Sequence, residues 1–94
     1  MAHRIVWARR AFLDVEAIAD YIARDSPAYA GIVLKNIIHQ TKSLANFPRS
    51  GRKVPELDNE DVREVFAYNY RIIYRLQQDE IVISAVIHGK RILQ

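Results

Sequence analysis

The chain has 94 residues, of which 50% are hydrophobic and 27% are charged. This length and balance are typical of a small globular protein, and we expect a single domain over residues 1–94. The net charge of +3 mildly favours acidic partners, whereas the absence of cysteine excludes disulfides and thiolate nucleophiles. The N-terminus lacks the pattern of a secretion signal and no apolar run is long enough to cross a bilayer. We therefore expect a cytoplasmic protein without membrane contact.

The N-terminal half predicts a strand followed by two helices. Residues 4–7 form a short β-prone run, and apolar side chains then recur at helical spacing over residues 11–22. Ser26 is suited to cap a second helix and Pro27 to begin it. Another apolar stripe covers residues 30–45, and so short a connection predicts an antiparallel helical hairpin. We interpret the charged residues outside the first stripe as a solvated helix face: Asp14, Glu16, Asp20 and Arg24.

The C-terminal half predicts a connector and three strands. Residues 46–61 are polar, contain two prolines and a glycine, and are expected to form an ordered loop. Strand-like runs follow at residues 62–67, 70–76 and 81–88, with connectors short enough for β-hairpins. The expected architecture is α+β with the order β-α-α-β-β-β. In it, the helical hairpin packs on one face of a small, mainly antiparallel sheet.

Both faces of this predicted sheet carry apolar residues. In the last strand, strict alternation places four residues on one face: Ile81, Ile83, Ala85 and Ile87. Because two helices can cover only one face, we expect the C-terminal tail, a dimer mate or a binding partner to cover the other. Six aromatic residues are expected in the core: Trp7, Phe12, Tyr21, Phe47, Phe66 and Tyr74.

Metal and nucleotide chemistry have no support among the motifs. The three histidines are far apart in the sequence and no His-Glu-x-x-His motif accompanies them. The three glycines form no phosphate-binding loop. We therefore expect neither a metal site nor a cofactor.

Four patches follow one another along the chain: Asp20 to Ala23 with Asp25 to Pro27; Phe47 to Leu57; Val62 to Glu64 with Tyr70 to Arg75; and Val86 to Arg91. In this order they resemble the ParE/RelE superfamily of bacterial toxins from type II toxin–antitoxin systems. The resemblance implies growth inhibition, a role in plasmid stabilisation, and neutralisation by a cognate antitoxin whose C-terminal segment wraps around the toxin. It also implies a hetero-oligomer that reaches operator DNA only through the antitoxin.

The superfamily contains two functional classes, which are gyrase inhibitors resembling ParE and ribosome-dependent mRNA endonucleases resembling RelE. By resemblance to the nucleases, Arg63 and Arg91 would stabilise phosphate charge and His88 would carry a proton. The catalytic tyrosine that those enzymes carry a few residues further on has no counterpart in this sequence.

The Pro-Arg-Ser-Gly-Arg loop, the Tyr-Arg-Ile-Ile-Tyr-Arg strand and the compact His-Gly-Lys-Arg ending are closer to the ParE branch. The resemblance thus favours a protein that binds DNA gyrase and is not an enzyme, with the ribosome and mRNA as the alternative targets. A degenerate toxin that only binds its antitoxin is a third possibility. The residues expected to contact the antitoxin are Arg63, Arg71, Tyr74, Arg75 and Arg91.

Overall fold

The computed structural model describes residues 2–91, which form two helices and one five-stranded sheet. The elements in chain order are β1 (Arg4–Trp7), α1 (Arg9–Ala23), α2 (Pro27–Ser43), β2 (Arg52–Lys53), β3 (Val62–Ala67), β4 (Tyr70–Leu76) and β5 (Glu80–His88). The strand order across the sheet is β1-β5-β4-β3-β2. Strand β1 runs parallel to β5, and the other neighbours are antiparallel. The predicted α+β architecture is confirmed.

The helical hairpin begins and packs as its sequence predicts. The Ser26 hydroxyl accepts a hydrogen bond from the backbone N–H of Tyr29 at 3.1 Å, and Pro27 is the first residue of α2. The inward side chains of both helices join the sheet in the main core. Its fully buried members include Ala11, Val33, Ile37, Ile72, Tyr74, Ile81 and Ile83.

Strand β2 was missing from the sequence prediction. Its two residues, Arg52 and Lys53, pair with Glu64 and Arg63 of β3 inside the stretch expected to be a loop. A pair of charged residues has no alternating pattern that could distinguish a strand from a loop. The short strand brings the connector, residues 46–61, against the edge of the sheet.

A β-bulge at Ser84 reverses the alternation of side chains along β5. Tyr74 pairs with Ile83 while the adjacent Ile73 pairs with Ala85, so Ser84 is an extra residue without a partner on β4. The prediction that all four apolar residues lie on one face was therefore wrong, because strict alternation assumes an unbroken ladder of strand pairs. Two of them pack under the helices and two on the opposite face: Ile81 and Ile83, and Ala85 and Ile87.

Asp14 of α1 stabilises the bulged strand. Its Oδ2 accepts a hydrogen bond from the backbone N–H of Val86 at 2.9 Å, and the Nε of Arg10 lies 3.6 Å from the same oxygen. Because a bulge interrupts the ladder, nearby backbone groups need other partners. The assignment of Asp14 to a solvated face was therefore wrong. The other three charged residues of that group are exposed: Glu16, Asp20 and Arg24.

The connector covers the second face of the sheet. Val54 is fully buried and packs against Ile73, Ala85 and Ile87, with Val62 at the margin of this second core. Residues 92–94 of the tail lie outside the described residues. The sequence prediction had named the tail, a dimer mate or a partner for this contact, without the connector. It overlooked the connector because a polar segment with prolines gave no sign of packing on a sheet.

Ion pairs fix the connector to this face. Arg71 is 4% exposed and donates from Nε to Glu64 Oε1 and from both Nη atoms to the Glu56 carboxylate, each at 2.7 Å. Glu64 also accepts from Arg52 Nε at 2.6 Å, and Arg71 Nη1 donates to the carbonyl of Arg91 at 2.9 Å. The hydrogen bonds to Glu56 raise the pKa of Arg71 above its usual value, so its guanidinium stays charged.

The six aromatic residues that were expected in the core differ in their exposure to solvent. Tyr74 is fully buried and Trp7 packs against the main core. Burial was a wrong prediction for the other four, whose exposed fractions range from 45% to 69%: Phe12, Tyr21, Phe47 and Phe66. Phe12 and Tyr21 are exposed because they lie on α1, whose apolar stripe is wider than its inner side alone can bury.

Gly51 has no space for a side chain, because a Cβ there would lie 2.5 Å from the carbonyl oxygen of Glu64 and 2.6 Å from the hydroxyl of Tyr74. We expect Gly51→Ala to lower the free energy of unfolding by about 1–3 kcal/mol. Gly31 lies in α2 beside open space, so Gly31→Ala should raise that free energy by about 0.5–1 kcal/mol. Urea denaturation followed by circular dichroism measures both, and equal effects would contradict the steric argument.

Glu64→Gln tests the buried ion pairs. The substitution removes the charge between Arg71 and Arg52, and we expect a loss of about 2–3 kcal/mol in the free energy of unfolding. This is less than the loss for a fully broken buried pair, because Arg71 keeps Glu56. The matched control is Glu60→Gln, whose side chain is 73% exposed beside Lys53 and should contribute less than about 1 kcal/mol. Similar losses for both variants in urea denaturation would refute a structural role for the pair.

Candidate functional site

An open apolar groove of about 600 Å³ is bounded by both helices of the hairpin and by the end of strand β1. Six of its lining residues are apolar and two are acidic: Trp7, Phe12, Val15, Ala19, Leu34 and Ile38, with Glu16 and Asp20. Strand β1 contributes its last residue, α1 contributes one face, and α2 forms the other wall. The spacing of residues 12, 15, 16, 19 and 20 places them along one side of α1.

Apolar side chains that line the groove are exposed to solvent. Phe12 is 59% exposed and Ile38 is 40% exposed, although both belong to the helical layer. A contiguous apolar surface of this kind on a small protein is typical of a partner-binding site. The sequence signal for it was the breadth of the α1 stripe, which includes residues 11, 18 and 22 on the inner side as well as the groove residues.

Of the three residues expected to act in a nuclease, Arg63 lies apart from the other two, whereas the backbone N–H of Arg91 donates to the carbonyl of His88 at 2.9 Å. Arg63 pairs with Tyr74, whereas His88 pairs with Tyr70 four positions away on the same strand, a separation of about 13 Å along β4. Arg63 is occupied by the connector, donating from Nη1 to the carbonyl of Gly51 at 2.9 Å. The structure therefore gives no joint arrangement of this arginine with the histidine.

His88 occupies an exposed position at the end of β5. Its ring meets the ring of Tyr70 edge to face, with centroids 5.9 Å apart. Its Nδ1 accepts a hydrogen bond from the backbone N–H of Lys90 at 3.2 Å. Arg91 is exposed, and its carbonyl oxygen is the acceptor for Arg71.

Two of the five residues expected to contact an antitoxin lie inside the protein. Tyr74 is fully buried, and its hydroxyl donates to the carbonyl of Pro48 at 2.8 Å and accepts from the N–H of Gly51 at 3.0 Å. Burial raises the pKa of Tyr74, and the hydrogen bond from Gly51 acts in the opposite direction. With the buried Arg71, this tyrosine holds the connector in place, so neither side chain lies on the surface.

The other members of that set are at least partly accessible. Arg63 keeps 15% of its side chain exposed, and Arg75 and Arg91 are exposed. Arg75 borders a cleft of about 220 Å³ together with Arg10, above the apolar side chains of Ile73 and Ala85. Its other lining residues come from β3, β5 and the connector, so the cleft lies across the second face of the sheet.

The part of the chain that the structure describes, residues 2–91, contains no group of three His, Asp or Glu side chains placed to hold a metal ion. Neither α1 nor α2 is long and apolar enough to cross a membrane.

Comparisons with known proteins agree with this architecture. A family model described as the ParE toxin of the type II toxin-antitoxin system parDE matches residues 5–93. Toxin RelE2 of Caulobacter vibrioides is 32% identical over 90 residues, which cover 95% of this chain and 98% of the relative. A solved chain of the chromosomal ParDE TA system from P. aeruginosa shares the fold, with a TM-score of 0.77, 24% identity, and coverage of 95% of this chain and 98% of that one. The protein belongs to the ParE toxin family and is the toxin of a type II toxin–antitoxin system.

Proposed function

We propose that this toxin is a ParE-like inhibitor of DNA gyrase and that its antitoxin neutralises it by binding the groove on the helical hairpin. The exposed apolar groove is the observation that carries the antitoxin part of the proposal. Its α1 side extends over residues 12–20, about 12 Å or two helical turns, which matches an amphipathic helix laid into a hydrophobic groove. A disordered antitoxin tail gains this helix only on binding, so the apolar contact must outweigh the cost of ordering the tail.

Several arginines of the toxin are neutralised by its own carboxylates, and this favours inhibition by binding over RNA cleavage. A nuclease needs cations that are free to meet a phosphate, with a proton donor and a proton acceptor close by. Arg52 and Arg71 share the Glu64 carboxylate, and Arg71 is also paired with Glu56. Arginine is a poor proton carrier. The one candidate that could carry a proton, His88, lies beside Arg91 but is remote from Arg63. A toxin that acts by binding a protein needs no such convergence.

A ribosome-dependent mRNA endonuclease is the competing function. It is favoured by one observation, the name Toxin RelE2 of the relative from Caulobacter vibrioides. The two functions differ in their targets and in their need for a proton-transferring side chain, so one set of assays separates them.

Antitoxin docking in the groove predicts the effect of Phe12→Ala. Because Phe12 is 59% exposed in the toxin alone, its truncation should leave the fold intact but weaken antitoxin binding by about 30-fold, as for an aromatic hot spot. In cells, the variant should remain toxic and lose rescue by the neighbouring gene's product. Phe47→Ala is the matched control, since Phe47 is a 66% exposed aromatic of the connector. Normal rescue of Phe12→Ala would contradict docking at this site.

The target is tested with purified components. We expect the toxin to block supercoiling of plasmid DNA by gyrase and to leave mRNA intact on translating ribosomes. His88→Ala should inhibit growth as strongly as the unsubstituted chain, because binding to gyrase requires no proton transfer by this imidazole. Codon-specific mRNA cleavage, or loss of toxicity in His88→Ala with antitoxin binding retained, would instead establish the nuclease.

A further inference from the structure

The groove has an acidic side. Glu16 and Asp20 both line it, and they are four residues apart on α1, which places their carboxylates one turn from each other on the same face. Both side chains are exposed, and within residues 2–91 neither forms an ion pair. Two like charges at this spacing destabilise a helix slightly, so the fold itself gains nothing from the pair.

Many other acidic side chains in the described residues are paired with cations of the same chain. The protein carries a net charge of +3, and several of its acidic residues are used internally by arginines: Asp14, Glu56, Glu60 and Glu64. Arg24 follows Asp20 by one helical turn, yet it makes no ion pair with it in the described part of the chain. The two carboxylates beside the groove are thus available to an external cation.

We propose that the antitoxin segment in the groove is an amphipathic helix that carries a lysine or arginine against Glu16 and Asp20, beside the apolar residues that contact Phe12 and Ile38. This inference rests on the proposed docking of the antitoxin in the groove, and it specifies the chemistry of the segment that docks. The apolar walls of the groove favour a helix with a hydrophobic face. The acidic pair fixes the orientation of that helix in the groove, because it attracts the helix's basic side chain.

Charge complementarity argues against an acidic antitoxin segment in the groove. A wholly acidic antitoxin segment would bring carboxylates next to Glu16 and Asp20, and like charges placed together across an interface are unfavourable. Acidic residues of the antitoxin fit the opposite side of the toxin, where Arg10 and Arg75 border their cleft. The groove therefore takes the part of the antitoxin that combines apolar and basic side chains.

The experiment measures the affinity between the full-length toxin and the product of the neighbouring gene at two salt concentrations. Glu16→Gln and Asp20→Asn should each weaken binding by about 3- to 10-fold at low salt, and the double variant should bind with less dependence on salt. Asp25→Asn is the matched control, because Asp25 is an exposed acidic residue in the turn after α1 that does not line the groove. Its affinity should not change. Glu16→Lys should weaken binding further, and exchange of one antitoxin lysine or arginine for glutamate should restore it.

The outcomes separate this inference from the proposal on which it rests. If Phe12→Ala weakens binding while the Glu16 and Asp20 variants bind as tightly as the unsubstituted toxin, the groove remains the antitoxin site and the basic contact is refuted. If Phe12→Ala has no effect either, the docking site itself is wrong. Tighter binding of the double variant would show that the antitoxin segment is acidic, which also overturns the inference. Unchanged circular dichroism of the variants confirms that the exposed substitutions leave the fold intact.

Discussion

The structure depends on a buried arginine at the centre of the sheet's second face. A single small sheet with apolar residues on both sides needs two covers, and residues 2–91 form only two helices, which lie together on one side. Arg71 holds the other cover in place because it binds Glu64 of the sheet and Glu56 of the connector at the same time. A buried guanidinium without countercharge would be strongly destabilising, so the position of the connector and the burial of this cation require each other.

This arrangement has a consequence for recognition. Among the arginines that the sequence suggested for binding or catalysis, Arg71 and Arg63 hold the connector, whereas Arg75 and Arg91 are exposed. The buried hydroxyl of Tyr74 adds its own contacts with the connector. The accessible apolar surface lies instead on the helices, around Phe12 and Ile38. The surface that is available to a partner therefore combines apolar side chains with a few charges at its margin.

Sequence patterns predicted the elements well because hydrophobic period and helix-capping residues are local signals. The two helices, the cap at Ser26 and the three C-terminal strands all come from such signals. The missed features are relations between distant residues. The extra residue at Ser84 leaves no trace in the composition of β5, and the bond from Val86 to Asp14 joins residues 72 positions apart.

The groove could not be predicted from the sequence either. An apolar stripe shows that a helix face avoids water, but its burial depends on how many elements the chain places around it. With two helices only, part of the α1 stripe faces outward, and Phe12 is exposed as a result. The resemblance to a toxin family supplied the expectation of a partner, whereas only the three-dimensional arrangement reveals the exposed groove and its acidic side.

The parallel pairing of β1 with β5 joins the first strand of the chain to the last. Arg4 lies opposite Glu80, a separation of 76 positions, so the earliest strand to leave the ribosome has no neighbour in the sheet until almost the whole chain has been synthesised. Trp7 of that strand lines the groove, which consequently takes its final shape only when β5 is in place. The sheet and the groove thus reach their final form in the same late step, and a nascent chain interrupted before this point has neither in finished form.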